Sequence, residues 1–210
     1  MTGRDAGSDV WDVMATSRSI RRFTSEPVDD ATLDRCLQAA TWAPSGANAQ
    51  EWRFIVLRSP AQRAVVAAAA AQALGVIEVA YSLTRPDPDD TGRRARDDRA
   101  TYELHDRAGE FTSVLFAQKR LRMASDMLLA GSIFPAMQNF LLAARAQGLG
   151  ACLTSWASYG GEDMLRSAVG VPDDWMIPGH IVVGWPRGRH GPVRRRPWRD
   201  AVYHDTWGNR

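Results

Sequence analysis

Ala43-Pro44-Ser45-Gly46-Ala47-Asn48-Ala49-Gln50-Glu51-Trp52-Arg53-Phe54 runs from a helix stop into a strand, and everything around it is laid out from that junction. Pro44-Ser45-Gly46 ends the helix before it. Arg53-Phe54-Ile55-Val56-Leu57-Arg58 reads as a buried strand after it. The loop between offers small residues that allow close approach, and two amides, Asn48 and Gln50, able to pair with the donor–acceptor edge of a planar heterocycle. Taken alone, the same stretch is equally a helix-ending turn.

Upstream, Asp29 and Asp30 suit the start of a helix reaching about Trp42, with Leu33, Cys36, Leu37 and Ala40 on one face. Before it, Asp9 can cap a short helix from Val10 to about Thr16, where Val10, Val13 and Met14 fall at helical spacing. Ser17-Arg18-Ser19-Ile20-Arg21-Arg22-Phe23 follows. Arginines grip a phosphate bidentately and serines hydrogen-bond it. By itself this string is also a solvated basic linker.

Downstream, Ser59-Pro60 caps an alanine-rich helix that the pattern ends near Gly75. Residues 84–99 carry two prolines and many charges and read as a solvated, mobile excursion. Residues 102–127 are helical in tone but poorly punctuated, and the whole of 75–131 is expected to form a variable substrate lid. Residues 132–147 are apolar nearly all round, which predicts a helix buried on most sides, with Pro135 admissible in its first turn. Gly148-Leu149-Gly150 stops it. A short strand at 151–155, a capped helix at about 162–169 and a strand at 177–184 complete the regular elements. The tail from Trp185 is extended and basic, and its Trp198, Tyr203 and Trp207 call for burial against another subunit. Scattered strands among more numerous helices predict a single α+β domain over 1–210, a sheet sandwiched by helices.

Length and composition agree. The 210 residues, 45% hydrophobic and 24% charged, suffice for one core without disulfides. Cys36 and Cys152 form no CxxC pattern, which suits a reducing compartment. The polar stretch 1–8 lacks the apolar core of a secretory signal, and the best uninterrupted apolar run, 64–71, is short for a membrane span. A cytoplasmic protein without a membrane partner is expected. Net charge is +2, so the arginine clusters do not amount to a nucleic-acid footprint. GxGxxG, GxxxxGK[ST] and GxSxG motifs are missing, and His105, His180, His190 and His204 have no metal-ligand spacing.

The order of the blocks carries more than any one of them. Arg18-Ser19-Ile20-Arg21-Arg22-Phe23, then Ala43 to Phe54 as quoted, then Gln138-Asn139-Phe140-Leu141-Leu142-Ala143-Ala144-Arg145 with Gly148-Leu149-Gly150 and Leu153-Thr154-Ser155, then Ile181-Val182-Val183-Gly184 and Gly191-Pro192-Val193-Arg194-Arg195-Arg196-Pro197 together resemble the nitroreductase family. That resemblance implies a nitroreductase-like sandwich with a central, mostly antiparallel sheet. It also implies an extended C-terminal tail wrapping a partner subunit, and a homodimer holding flavin mononucleotide (FMN) at its interface. Arg18, Ser19 and Arg21 would hold the phosphate and ribityl chain, with Arg195, or Arg194, closing from the tail. Pro44, Ser45, Gly46, Asn48 and Gln50 would meet the isoalloxazine from the other subunit, and Thr154 and Ser155 would lie near its N5 and carbonyl edge.

The implied activity is an NAD(P)H-dependent FMN oxidoreductase acting on a nitroaromatic, quinone or activated alkene. The flavin carries the chemistry, with no catalytic side chain assigned. A non-turnover flavin store or sensor, or a dehalogenase or flavin-fragmenting enzyme of the same fold, are the alternatives. Tyr102 and His105 read as surface residues. Ser17 and Glu51 depart from the family pattern, which favours arginine and proline there.

Overall fold

The computed structural model describes residues 9–210, so the reading of residues 1–8 falls outside it. The described residues form six α-helices and four strands in the order α1 (Val10–Thr16), α2 (Asp30–Thr41), β1 (Trp52–Leu57), α3 (Pro60–Tyr81), α4 (Arg93–Asp106), β2 (Thr112–Lys119), α5 (Asp126–Ala146), β3 (Gly150–Thr154), α6 (Glu162–Val169) and β4 (Trp175–Gly184). The sheet order is β1-β2-β4-β3, antiparallel throughout. Local signals start the helices as expected. Asp29 accepts from the Thr32 N–H and Ser59 from the Gln62 N–H, each satisfying a donor the helix leaves open.

Side-chain alternation along the strands divides the core in two. Val114, Phe116, Ile181 and Val183 face α2 and α5, packing on Leu33, Cys36, Ala40, Ile133, Met137 and Phe140. Leu115, Ala117, Cys152 and Val182 face the other way, onto Val66, Ala69, Ala70 and Ala73 of α3, Leu104 of α4 and Leu165 of α6. The result is the expected α+β sandwich.

The stretch 75–131 is largely regular, not the irregular excursion read from the sequence. α3 continues past Gly75 to Tyr81, where Ser82 closes it in the left-handed region at φ 50°. Helix α4 occupies 93–106, steadied by Arg93–Asp97 and Arg94–Asp98 pairs one turn apart. Strand β2 runs through the middle of the sheet with Val114–Ala117 essentially inaccessible. Covered on both faces, it shows no polar alternation, which is why the sequence hid it. Even the 84–92 connection is tied down, by Arg85 on Asp106 and by Arg99 donating to the carbonyls of Asp87 and Asp90.

Pro135 also departs from its expected place. Helix α5 starts at Asp126 behind the Ser125 cap, so Pro135 lies in its interior. The carbonyl that loses its donor belongs to Gly131, which is exposed and can be met by water. α3 and α5 are each long and apolar enough, averaged over 18 residues, to pass for membrane spans by composition, though the sequence has no uninterrupted apolar run of that length. Each packs against one face of the sheet.

Candidate functional site

The segment 17–23 is laid along the free edge of β3. Ser19 bridges Ala151 in parallel, and the Ile20 N–H donates to the Ala151 carbonyl at 2.9 Å. A side chain at Gly150 would sit 2.7 Å from Ile20 Cγ2, so this approach needs glycine there. After β4 the chain returns alongside: Phe23 bridges Pro186, the Arg187 N–H donates to the Arg22 carbonyl, and the Val193 N–H to the Ala15 carbonyl. From α5, Arg145 reaches Thr16 Oγ1 at 2.8 Å and Asp12 at 3.7 Å, pinning α1 to the floor.

These ties enclose an open groove of about 750 Å³. Ser17, Arg18 and Ser19 form one wall, Gln138, Leu141 and Arg145 come from α5, Leu153 from β3, and Gly188, Arg189, His190, Val193 and Arg195 from the returning chain. No aspartate or glutamate among the described residues lines it. Among the described residues, then, an anion meets cationic side chains from opposite ends of the chain with no carboxylate to repel it.

Arg18, Ser19 and Arg195 are thus brought together. Arg21 and Arg194 are not among the groove's walls. Arg21 is half-buried; burial raises the Cys152 pKa and lowers that of His105, and the Arg21 charge acts on both groups, which places it near these residues of the α3 side rather than in the groove.

Thr154 is turned inward as well. Its hydroxyl donates to the His180 carbonyl at 3.0 Å, and with that proton spent it accepts from His180 Nδ1 at 3.1 Å. Only Ser155, just beyond the strand, is exposed. Full burial holds the His180 pKa down to about 3, so the ring is neutral.

The loop through Pro44, Ser45, Gly46, Asn48 and Gln50 does not line the groove. It has its own internal frame. Ser45 Oγ accepts from the Gln50 N–H at 3.1 Å, the Asn48 N–H donates to the Ser45 carbonyl, and Gln50 Nε2 donates to Asn48 Oδ1 at 3.0 Å. Ala47, Asn48 and Gln50 all take positive φ, between 51° and 54°. Ser132 on α5 anchors the turn by accepting from the Gly46 N–H. The bond between the two amides uses Asn48 Oδ1 and Gln50 Nε2, which leaves Asn48 Nδ2 as a donor and Gln50 Oε1 as an acceptor on two exposed side chains.

Tyr102 and His105 are buried, contrary to their reading as surface residues. Tyr102 donates to Glu78 at 2.9 Å, and burial followed by that carboxylate pushes its pKa up to about 12. His105 bonds the Thr101 carbonyl through Nδ1 and accepts from the Trp156 indole through Nε2 at 2.9 Å, and burial lowers its pKa. Both are part of the scaffold on the α3 side.

Sequence reasoning missed Arg145, Arg189 and His190 as groove residues. The local signal was a short glycine-flanked basic run between Pro186 and Pro192, hidden by a chain with 25 arginines. Burial lowers the His190 pKa, the neighbouring Arg18 charge acts in the same direction, and a bond to the Arg187 backbone opposes them.

Residues 14–185 match the profile described as Nitroreductase family. The chain is 30% identical over 195 residues to a 5,6-dimethylbenzimidazole synthase of Rhodospirillum rubrum, covering 89% of this chain and 87% of that protein. It is 31% identical over 200 residues to an NADH dehydrogenase of Thermus thermophilus, covering 88% and 90%. Among solved structures, a protein of Desulfovibrio desulfuricans in complex with FMN superposes with a TM-score of 0.68 at 25% identity, covering 96% of this chain and 99% of that one.

Proposed function

The chain belongs to the nitroreductase family, and from that premise we propose that it is a cytoplasmic, homodimeric FMN-dependent oxidoreductase passing two electrons from NADH or NADPH to a small electrophilic acceptor such as a nitroaromatic, quinone or activated alkene. The observation that carries the reading is the acid-free groove in which Ser17, Arg18 and Ser19 meet Arg195. A phosphate monoester needs such donors, and the similar Desulfovibrio protein was solved with FMN.

Bound FMN supplies the hydride-accepting and hydride-donating chemistry. The chain's own residues hold and orient it. Arg18 and Arg195 grip the phosphate, and Ser19 adds a hydroxyl. Asn48 Nδ2 and Gln50 Oε1 of a second copy take the heterocycle edge. Those amides belong to a loop outside this groove, and Trp198 and Trp207 at the tail are 64% and 92% exposed, which supports two chains completing each site. Ser17 stands where the family favours arginine, and Arg189, already on the groove wall, supplies the missing cation.

A second reading has its own support. The similarity to 5,6-dimethylbenzimidazole synthase spans nearly the whole chain and favours FMN as a consumed substrate, broken down with oxygen. One experiment separates the two. Purified protein is loaded with FMN, reduced anaerobically with NADH or NADPH, and then exposed to air or to a nitroaromatic. Bleaching by nucleotide with full return of the flavin spectrum is the expected result. Irreversible loss of the spectrum with a benzimidazole product would favour the second reading. Flavin that binds and never bleaches would defeat the NAD(P)H-dependent reading and favour a store or sensor.

A further inference from the structure

His190 is placed by nothing in the family motif, yet it stands on the groove wall beside Arg18. Resting on the FMN reading above, we propose that His190 is a phosphate-binding residue of this site that takes up a proton when the phosphate enters.

Charge around the ring gives the reason. Arg18, from the 17–23 segment, is the charge that acts on the ring; Arg145 from α5, Arg189 from its own loop and Arg195 from the tail line the same groove, and the Arg187 backbone bonds the ring. Arg145 is already occupied by Thr16 and Asp12, and Arg187 by Glu103, so Arg18, Arg189 and Arg195 remain as cations available to a ligand. With no carboxylate among the described wall residues, an empty groove disfavours another positive charge, and burial and Arg18 hold the imidazole towards its neutral form. A phosphate dianion reverses the sign of the local field. The imidazolium then donates through a second N–H and gains an opposite charge at close range. His190 thereby reports whether the phosphate is present, while adding nothing to the repulsion among the arginines before it arrives.

The sign follows from linkage. The pKa of His190 is low in the free protein and raised in the complex, so its contribution favours FMN at lower pH and is lost as pH rises through the value in the complex. Phosphate has its own second pKa near 6, which opposes this trend below about pH 6 but acts identically in a variant lacking the imidazole.

The test is titration calorimetry of FMN binding at pH 7 in buffers of different ionisation enthalpy, with wild type and His190→Gln. Wild type is expected to take up a substantial fraction of one proton per FMN, and His190→Gln little or none. Between pH 6.5 and 8.5 the wild-type affinity, taken relative to His190→Gln, should fall with a slope of at most about tenfold per pH unit. Riboflavin, which lacks the phosphate, should show no difference between the two proteins. FMN binding with equal proton uptake in both proteins would overturn the role of His190 and leave the flavin reading standing. Failure of FMN to bind at all would overturn the flavin reading and this inference with it.

Discussion

The basic groove and the Pro44–Gln50 loop are both candidate halves of one cofactor site, and they are made in opposite ways. The groove has no local template. It exists because segment 17–23 is stitched to β3 on one side and to the returning chain on the other, which carries Arg18 and Arg195 to the same cavity. The loop is shaped almost wholly by itself, through Ser45, Asn48 and Gln50 bonded to one another over six residues. Charge is gathered by tertiary folding, whereas hydrogen-bonding pattern is set by local backbone geometry. The two halves should therefore fail differently when altered.

The largest effect is expected from reversing charge in the groove. Arg18→Glu should weaken FMN binding by about a hundredfold or more, since it replaces a bidentate donor with a repelling carboxylate. Riboflavin binding by the same variant should change by less than about threefold, as no phosphate is involved. Mixing Arg18→Glu chains with Asn48→Ala chains sharpens the point. If each site takes its groove from one copy and its loop from another, mixed dimers regain one intact site. Fluorescence-quenching titrations that show no recovery would mean each chain builds its site alone.

A middle-sized effect is expected at the loop. Asn48→Ala removes the free amide donor and should weaken FMN and riboflavin alike, by about 2- to 12-fold, the range of one net hydrogen bond. A loss confined to FMN would assign Asn48 to the phosphate end and collapse the distinction between the two halves.

The smallest effect concerns the loop's shape without ligand. Ala47 sits at φ 51° with a side chain that disfavours the left-handed region. Ala47→Gly should stabilise the protein by up to about 1 kcal/mol in urea unfolding, with the amide pair intact. Destabilisation would show that the methyl group packs against something that outweighs the backbone strain.

Much of this architecture was legible in the chain. Asp29 and Ser59 announced their helices, Pro44-Ser45-Gly46 announced a stop, and β1 read plainly because a short apolar run lies between turn signals. The central strand β2 did not. Its residues 113–118 are buried on both faces, so no period of two survives, and no strong turn signal separates them from the charged helix before. Helix α4 misled for a related reason. Its arginines and aspartates looked solvated, but Tyr102, Leu104 and His105 turn inward from the same helix. Gly75 and Pro135 stood as breakers in the pattern, and packing of α3 and α5 against the sheet carried both helices through them.

By itself, the sequence determined what is local: which residues cap helices, where the 43–50 turn falls, and that Asn48 and Gln50 stand two residues apart in a loop able to present an amide pair. It also set the inventory of arginines without saying which would converge. Only the tertiary structure decided that Arg18, Arg189, His190 and Arg195 share one cavity while Arg21 and Thr154 turn away from it. The physical reason is the range of the forces involved. Caps and turns depend on hydrogen bonds a few residues long, which a sequence window contains. The field of a groove depends on charges brought close by the packing of distant segments, which no window contains.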